Sequence, residues 1–151
     1  MIADLINNQV LLGGLLSWAL AQILKLPLEY ARTHRWDWSL LLRAGGMPSS
    51  HSALVTATAH GIGLVAGFDT PLFAMAVAFA MIVIYDATGI RRQAGKHAER
   101  INAIMRDMLD GHPLRRGSEL REVLGHSPAE ALTGLILGMA VAQLLEVLMG
   151  S

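Results

Sequence analysis

Every lysine and arginine in this chain falls in one of two windows, and that placement constrains the fold more than any other feature. The first window holds Lys25, Arg32, Arg35 and Arg43. The second holds Arg91, Arg92, Lys96, Arg100, Arg106, Arg115, Arg116 and Arg121, which completes the twelve. Around and between them lie four stretches without a charged side chain: residues 5–24, 44–68, 70–85 and 131–145. A spanning helix needs about 20 mostly apolar residues, with a range of roughly 17–25. The first two stretches reach that length. The last two, at 16 and 15 residues, reach it when Asp86 and Glu146 sit at the headgroup level. A soluble helical bundle would carry a polar stripe on each surface helix, and these stretches carry little of one.

The expected fold is therefore all-α: an integral membrane helical bundle of about four transmembrane helices plus a cytoplasmic amphipathic helix. At 151 residues it forms a single membrane-embedded domain, residues 1–151. The two basic windows follow the first and third spans. The positive-inside rule places both in the cytoplasm, with the termini and the short link at Asp69 on the other side of the cytoplasmic (inner) membrane. The first eight residues lack a basic region and a small-residue cleavage pattern, so the first span reads as an anchor. The absence of cysteine excludes a disulfide framework, a thiolate metal site and a cysteine nucleophile. The formal net charge is zero, and no nucleic-acid partner is expected.

Local signals refine this picture. The first span is expected to end near Lys25 and Pro27, because a residue before proline is pushed out of helical geometry. Trp18 suits core packing, while Trp36 and Trp38 suit an interfacial belt. Residues 91–109 have helical spacing, with Ile101, Ile104, Met105 and Met108 on one side and charges on the other, which suits a helix on the membrane surface. Gly111-His112-Pro113 stops that helix. Ser127 can cap the last helix, with Pro128 at its first position.

Three polar segments stand at span ends. Gly45-Gly46-Met47-Pro48-Ser49-Ser50-His51-Ser52 combines a glycine turn, hydroxyls and a histidine at a helix start. Backbone N–H groups and the helix dipole attract an anion there, and Ser49 or Ser50 can cap. His51 is positioned to give a proton to a leaving group. In His126-Ser127-Pro128-Ala129-Glu130, the i,i+4 spacing lets Glu130 orient His126, an arrangement suited to a nucleophile or base. Tyr85-Asp86-Ala87-Thr88-Gly89-Ile90-Arg91-Arg92 puts two guanidinium groups, suited to phosphate, where a span meets the cytoplasm. Lys25 ends the first span as a lone cation. Each piece has a plainer reading: a capped turn, a chance spacing, topology markers, a snorkelling lysine. Together, Lys25, Ser49, Ser50, His51, Arg91 and His126 come from four span ends on one predicted face. His60 lies on the opposite face of its helix from His51, and a buried partner such as a backbone carbonyl is expected for it. His34, His97 and His112 lack ligand spacing, and no metal site is expected.

These segments, with Ala94-Gly95-Lys96 and Leu124-Gly125, resemble the divergent branch of the type 2 phosphatidic acid phosphatase superfamily, related to acid phosphatases and vanadium-dependent haloperoxidases. The resemblance runs over roughly residues 22–138. It implies that His126 is a nucleophile forming a phosphohistidine, with Glu130 in place of the usual aspartate. It implies that His51 is the general acid, and that Lys25, Ser50 and Arg91 hold the phosphoryl oxygens, with Ser49 and Arg92 beside them. No metal or other cofactor belongs to that mechanism. The implied substrate is a lipid phosphate monoester of the phosphatidylglycerophosphate, phosphatidate or polyprenyl phosphate class.

Four features depart from the superfamily pattern. Ser50 stands in place of the motif glycine. Leu120 stands six residues before His126, where an arginine is usual, which leaves Arg91 or Arg121 for that part. No Arg-Pro follows Lys25, and four spans replace six, so a homodimer would have to supply missing wall. The same departures define an alternative: a non-catalytic membrane protein that binds or transports a lipid headgroup in a retained phosphate pocket.

Overall fold

The computed structural model describes residues 5–41, 45–108, 120 and 124–150, leaving aside the side chain of Asp107. The described residues are helical or irregular, with no strand among them. Five α-helices follow in order: α1 Gln9–Thr33, α2 Ser50–Ala66, α3 Pro71–Thr88, α4 Ile90–Met108 and α5 Pro128–Met149, with a 3-10 turn at Trp38–Leu41. Arg43, Arg115, Arg116, Arg121 and the stop at Gly111-His112-Pro113 lie outside the described residues.

Helix boundaries follow from caps. Asn8, Ser49, Thr70 and Ser127 each accept a backbone N–H of the first turn of α1, α2, α3 and α5. Such a cap satisfies one of the orphan donors at a helix start. Pro71 and Pro128 follow their caps at the first turn, where the missing N–H costs nothing.

Two boundaries differ from the sequence expectation. Helix α1 runs through Pro27 and ends at His34, which takes a left-handed conformation (φ 56°) and donates its N–H to the Tyr30 carbonyl. Proline removes one backbone bond of the ladder, a loss that spanning helices tolerate. Helix α2 has 17 residues, not the 25 of its apolar stretch, because Gly45 and Gly46 (φ 99° and 81°) and Pro48 occupy the stretch's beginning.

Small residues make the core. In α1 the buried positions Gly13, Ser17, Ala21 and Lys25 recur every four residues, and in α5 Ala131, Gly134, Gly138 and Ala142 form a second stripe. Ser17 of the first stripe and Gly134 and Gly138 of the second face α2, whose Ala53, Ala57 and Ala59 are buried, while Gly13 meets Ala142 and Leu145 of α5. The approach is closest at Gly134, against the Ser49 carbonyl, and at Gly138, against the Ala53 carbonyl, where a Cβ would collide with backbone. The Ser17 hydroxyl donates to the Ala53 carbonyl at 3.0 Å, tying α1 to α2. Helix α3 packs mainly on α2, through Ala76, Ala80, Val83 and Ile84 against Val55 and Ala59.

Large apolar side chains point outward instead. Phe79, Met81, Ile82, Ile136 and Leu148 are all more exposed than buried, and Trp18 also faces out rather than into the core. Water would penalise so much exposed apolar surface, whereas acyl chains accept it and leave close packing of small residues to hold helices together. Among the described residues three helical segments are long and apolar enough to cross a membrane, α1, the α3–α4 run Pro71–Arg106, and α5, while α2, one of the four expected spans, has 17 residues and is not among them. The protein is a helical membrane bundle.

Candidate functional site

The polar groups of the four span ends meet at one end of this bundle. His126 is 4% exposed, and its backbone N–H donates to the Ala87 carbonyl at the end of α3 (2.9 Å). Gly125 makes that approach possible. It has a positive φ of 83°, and a Cβ there would meet the Ala87 carbonyl oxygen and the Arg92 nitrogen, each at 2.6 Å. Only glycine combines that backbone conformation with that closeness.

The cap of α5 then fixes the ring. Ser127 accepts the Glu130 N–H, and the Glu130 carboxylate accepts the Ser127 N–H, each at 3.3 Å. The same carboxylate oxygen, Oε2, lies 3.0 Å from His126 Nδ1. An ionised carboxylate can only accept, so the proton between them belongs to Nδ1, and Nε2 is the nitrogen left to face other groups. The ring of His51, which is exposed, stands 6.0 Å from that of His126, centroid to centroid.

Helix α2 is held to α5 at the same level. The Ser49 N–H donates to the Glu130 carbonyl at 2.8 Å, and the Ser49 hydroxyl oxygen accepts from the Ser52 N–H (3.3 Å) and hydroxyl (3.1 Å). Ser49 and Ser50 are both buried, so these serines build the wall that presents His51.

Lys25 completes the cluster from α1. It is 2% exposed, its stem runs beside Gly46, and its charge acts on Glu130 and His51. No hydrogen bond or ion pair ties its ammonium to any other described residue. A buried cation without a direct partner is costly unless something negative joins it.

The arginines lie further out. Arg91 Nε donates to Asp86 Oδ2 at 2.6 Å, and its side chain is more than half exposed, though its charge reaches His51. Arg92 is exposed, and what it brings close to Gly125 is its backbone nitrogen. Arg121 falls outside the described residues. Among the described residues no group of three or more His, Asp or Glu is placed to hold a metal ion.

The profile of a family described as "Divergent PAP2 family" matches residues 6–141. The chain belongs to the divergent PAP2 family. A relative from Bacillus subtilis, called "Uncharacterized membrane protein YuiD", is 39% identical over 153 residues, covering 92% of this chain and 97% of its own. No solved structure matches the chain. As a member of this family it is a membrane protein of PAP2 type, and its polar cluster occupies the residues on which the resemblance rests.

Some of this geometry had no expectation in the sequence. The paired glycines of α5 carry a signal, a small-x-x-x-small spacing at Gly134 and Gly138. Asp86 stands five residues before Arg91, within reach of it. His60 pairs with the side-chain oxygen of Gln143 at 3.2 Å rather than with a backbone carbonyl, because α5 brings an amide to that level of α2. The Gln9 amide likewise donates to Glu146 at 2.6 Å, so the acid late in α5 has a partner from α1.

Proposed function

We propose that this protein is a membrane phosphatase that hydrolyses a lipid phosphate monoester through a phosphohistidine on His126, at the cytoplasmic face of the inner membrane. The observation that carries this reading is the buried His126, with Glu130 on its Nδ1, the His51 ring facing it at 6.0 Å and the buried cation of Lys25 in the same cluster. A carboxylate behind an imidazole raises its basicity, fixes its tautomer and stabilises the positive charge it acquires on attack.

In the proposed reaction the Nε2 lone pair attacks phosphorus in line with the ester oxygen. A nitrogen–phosphorus bond forms and the phosphorus–oxygen ester bond breaks. The departing alkoxide takes a proton from the His51 imidazolium. Water then gives a proton back to His51 and attacks phosphorus, the nitrogen–phosphorus bond breaks, and inorganic phosphate leaves. Lys25, the Ser50 hydroxyl and Arg91 would stabilise the charge spread over the equatorial oxygens. Candidate substrates are phosphatidylglycerophosphate, phosphatidate and polyprenyl phosphates, and a second copy of the chain would close the site's open side.

Phosphate release from this panel by detergent-purified protein tests the reading. Release is expected from at least one lipid and is expected to vanish in His126→Ala with folding intact. Undiminished release by that variant would overturn the mechanism.

One observation favours a second reading. Arg91 is already paired with Asp86, and Leu120 stands where the superfamily pattern has an arginine. A lipid-headgroup binding or transport protein would need the anion-attracting cluster without the chemistry. Such a protein would bind vanadate yet release no phosphate and form no phosphohistidine.

A further inference from the structure

Among the described residues helix α4 leaves an apolar face without a partner. Ile101, Ile104, Met105 and Met108 share one side of the second half of the helix, with Ile90 on the same side and Gln93, Ala94 and His97 between, and all are exposed, Met108 by 75%. A neighbouring stripe is covered: Gly95, Ala98 and Asn102 are buried, and the Asn102 amide pairs with both backbone groups of Leu120, at 2.8 and 3.0 Å. The third side carries exposed Arg92, Lys96 and Arg100 at i,i+4 spacing, and Ala103 follows on the same side, also exposed. Over the whole helix five lysines and arginines stand against Glu99 and Asp107. Three faces thus have three surroundings: protein, water with cations, and an apolar stripe that no other described residue covers.

Position decides what covers the stripe. Only Gly89 separates α4 from the membrane-spanning α3, and its backbone (φ −102°, ψ −83°) departs from helical values, so the chain can change direction there. The start of α4 is thereby fixed at the bilayer boundary. The Tyr30, Trp36 and Trp38 rings stack beyond the same end of the bundle, with centroids 4.7 and 6.0 Å apart, as residues of an interfacial belt do.

We infer that α4 docks on the cytoplasmic-side surface of an anionic bilayer, its isoleucine and methionine stripe in the acyl boundary and its cations on anionic headgroups. The apolar stripe and the excess positive charge are the two contributions that bind an interfacial helix to such a surface. Docking also fixes the α3–α4 junction, which is the backbone against which Gly125 and His126 pack. The inference stands independently of the phosphatase reading, since it concerns lipid contact and not turnover.

The chain has no cysteine, so single cysteines can report local surroundings in the full-length protein. Ile104→Cys and Ala103→Cys, each carrying a fluorophore, would be reconstituted in vesicles of phosphatidylcholine with or without phosphatidylglycerol, with brominated acyl chains as quencher. Ile136→Cys on the outward face of α5 verifies insertion in every sample. Strong quenching at position 104 and little at 103 is expected, with the contrast growing as phosphatidylglycerol is added. Exchanging Arg92, Lys96 and Arg100 for Gln should lower the docked-to-undocked ratio by about fivefold per cation lost. Equal quenching at 103 and 104, or a contrast indifferent to anionic lipid, would overturn the inference. So would protection of position 104 that appears only at high protein-to-lipid ratio, which would assign the stripe to a second copy of the chain.

Discussion

Replacing Gly125 by alanine should damage the site through backbone geometry alone, without touching a polar group. Two penalties add. The positive φ of 83° is a strained conformation for any residue with a Cβ, costing on the order of 1–3 kcal/mol. The new Cβ would also sit 2.6 Å from the Ala87 oxygen and the Arg92 nitrogen, where ordinary contact begins at 3.4 Å, so the α3–α4 junction must retreat by about 0.8 Å. Because these are backbone atoms, no side chain can swing aside to relieve the contact. The His126 N–H bond to Ala87 is 2.9 Å long. A retreat of that size along it gives a separation of about 3.7 Å, outside the roughly 2.7–3.2 Å of a hydrogen bond. Losing that bond adds about 1 kcal/mol. The expected destabilisation is about 2–4 kcal/mol. A displacement near 1 Å at a reacting group lowers turnover about a hundredfold. Thermal unfolding in detergent, followed by the intrinsic fluorescence of the three tryptophans, measures the first effect, and phosphate release measures the second. A variant that unfolds at the parent temperature, or one that is less stable yet turns over normally, would refute the reasoning.

Three further outcomes are expected. Glu130→Gln keeps the side chain's length but removes the charge behind His126, and phosphate release should fall by about 10²- to 10⁴-fold; a loss smaller than tenfold would remove Glu130 from the mechanism. Lys25→Met replaces a buried cation by an apolar side chain of similar length, so thermal stability should hold or rise while vanadate affinity drops; unchanged vanadate binding by equilibrium titration would show that Lys25 does not meet the anion. Asp86→Asn breaks only a half-exposed pair with Arg91 and should cost less than about 1 kcal/mol in the unfolding assay; a larger loss would mean that the pair holds the end of α3 in place.

Charge-free stretches located the spans because a bilayer excludes charge over a known thickness, and that rule needs no tertiary information. The cap at Ser127 was equally legible, and that of α2 was narrowed to Ser49 or Ser50, since side-chain oxygens at helix starts act locally. Helix ends were less so. Pro27 signals a break, yet α1 continues past it to a cap at His34, because a spanning helix tolerates one lost backbone bond. The glycine turn shortened α2 where composition alone counted apolar residues.

At the site, the His126–Glu130 pair followed from helical spacing. The burial of Lys25 did not, because a lysine at a span end snorkels unless neighbouring helices enclose it, and that enclosure depends on how α1 meets Gly46. The role of Gly125 was invisible for the same reason: its requirement comes from Ala87 and Arg92, more than thirty residues away in sequence.

The central claim is that His126 carries the phosphoryl group during turnover. Rapid quenching of the protein with a substrate lipid under alkaline conditions, which preserve phosphohistidine, followed by peptide mass spectrometry, tests it most directly. The account predicts a phosphoryl group on the peptide containing His126, absent in His126→Ala and formed more slowly in His51→Ala, which lacks the acid for the leaving group. Phosphate release by the parent protein with no phosphoryl group on that histidine at any quench time would contradict it.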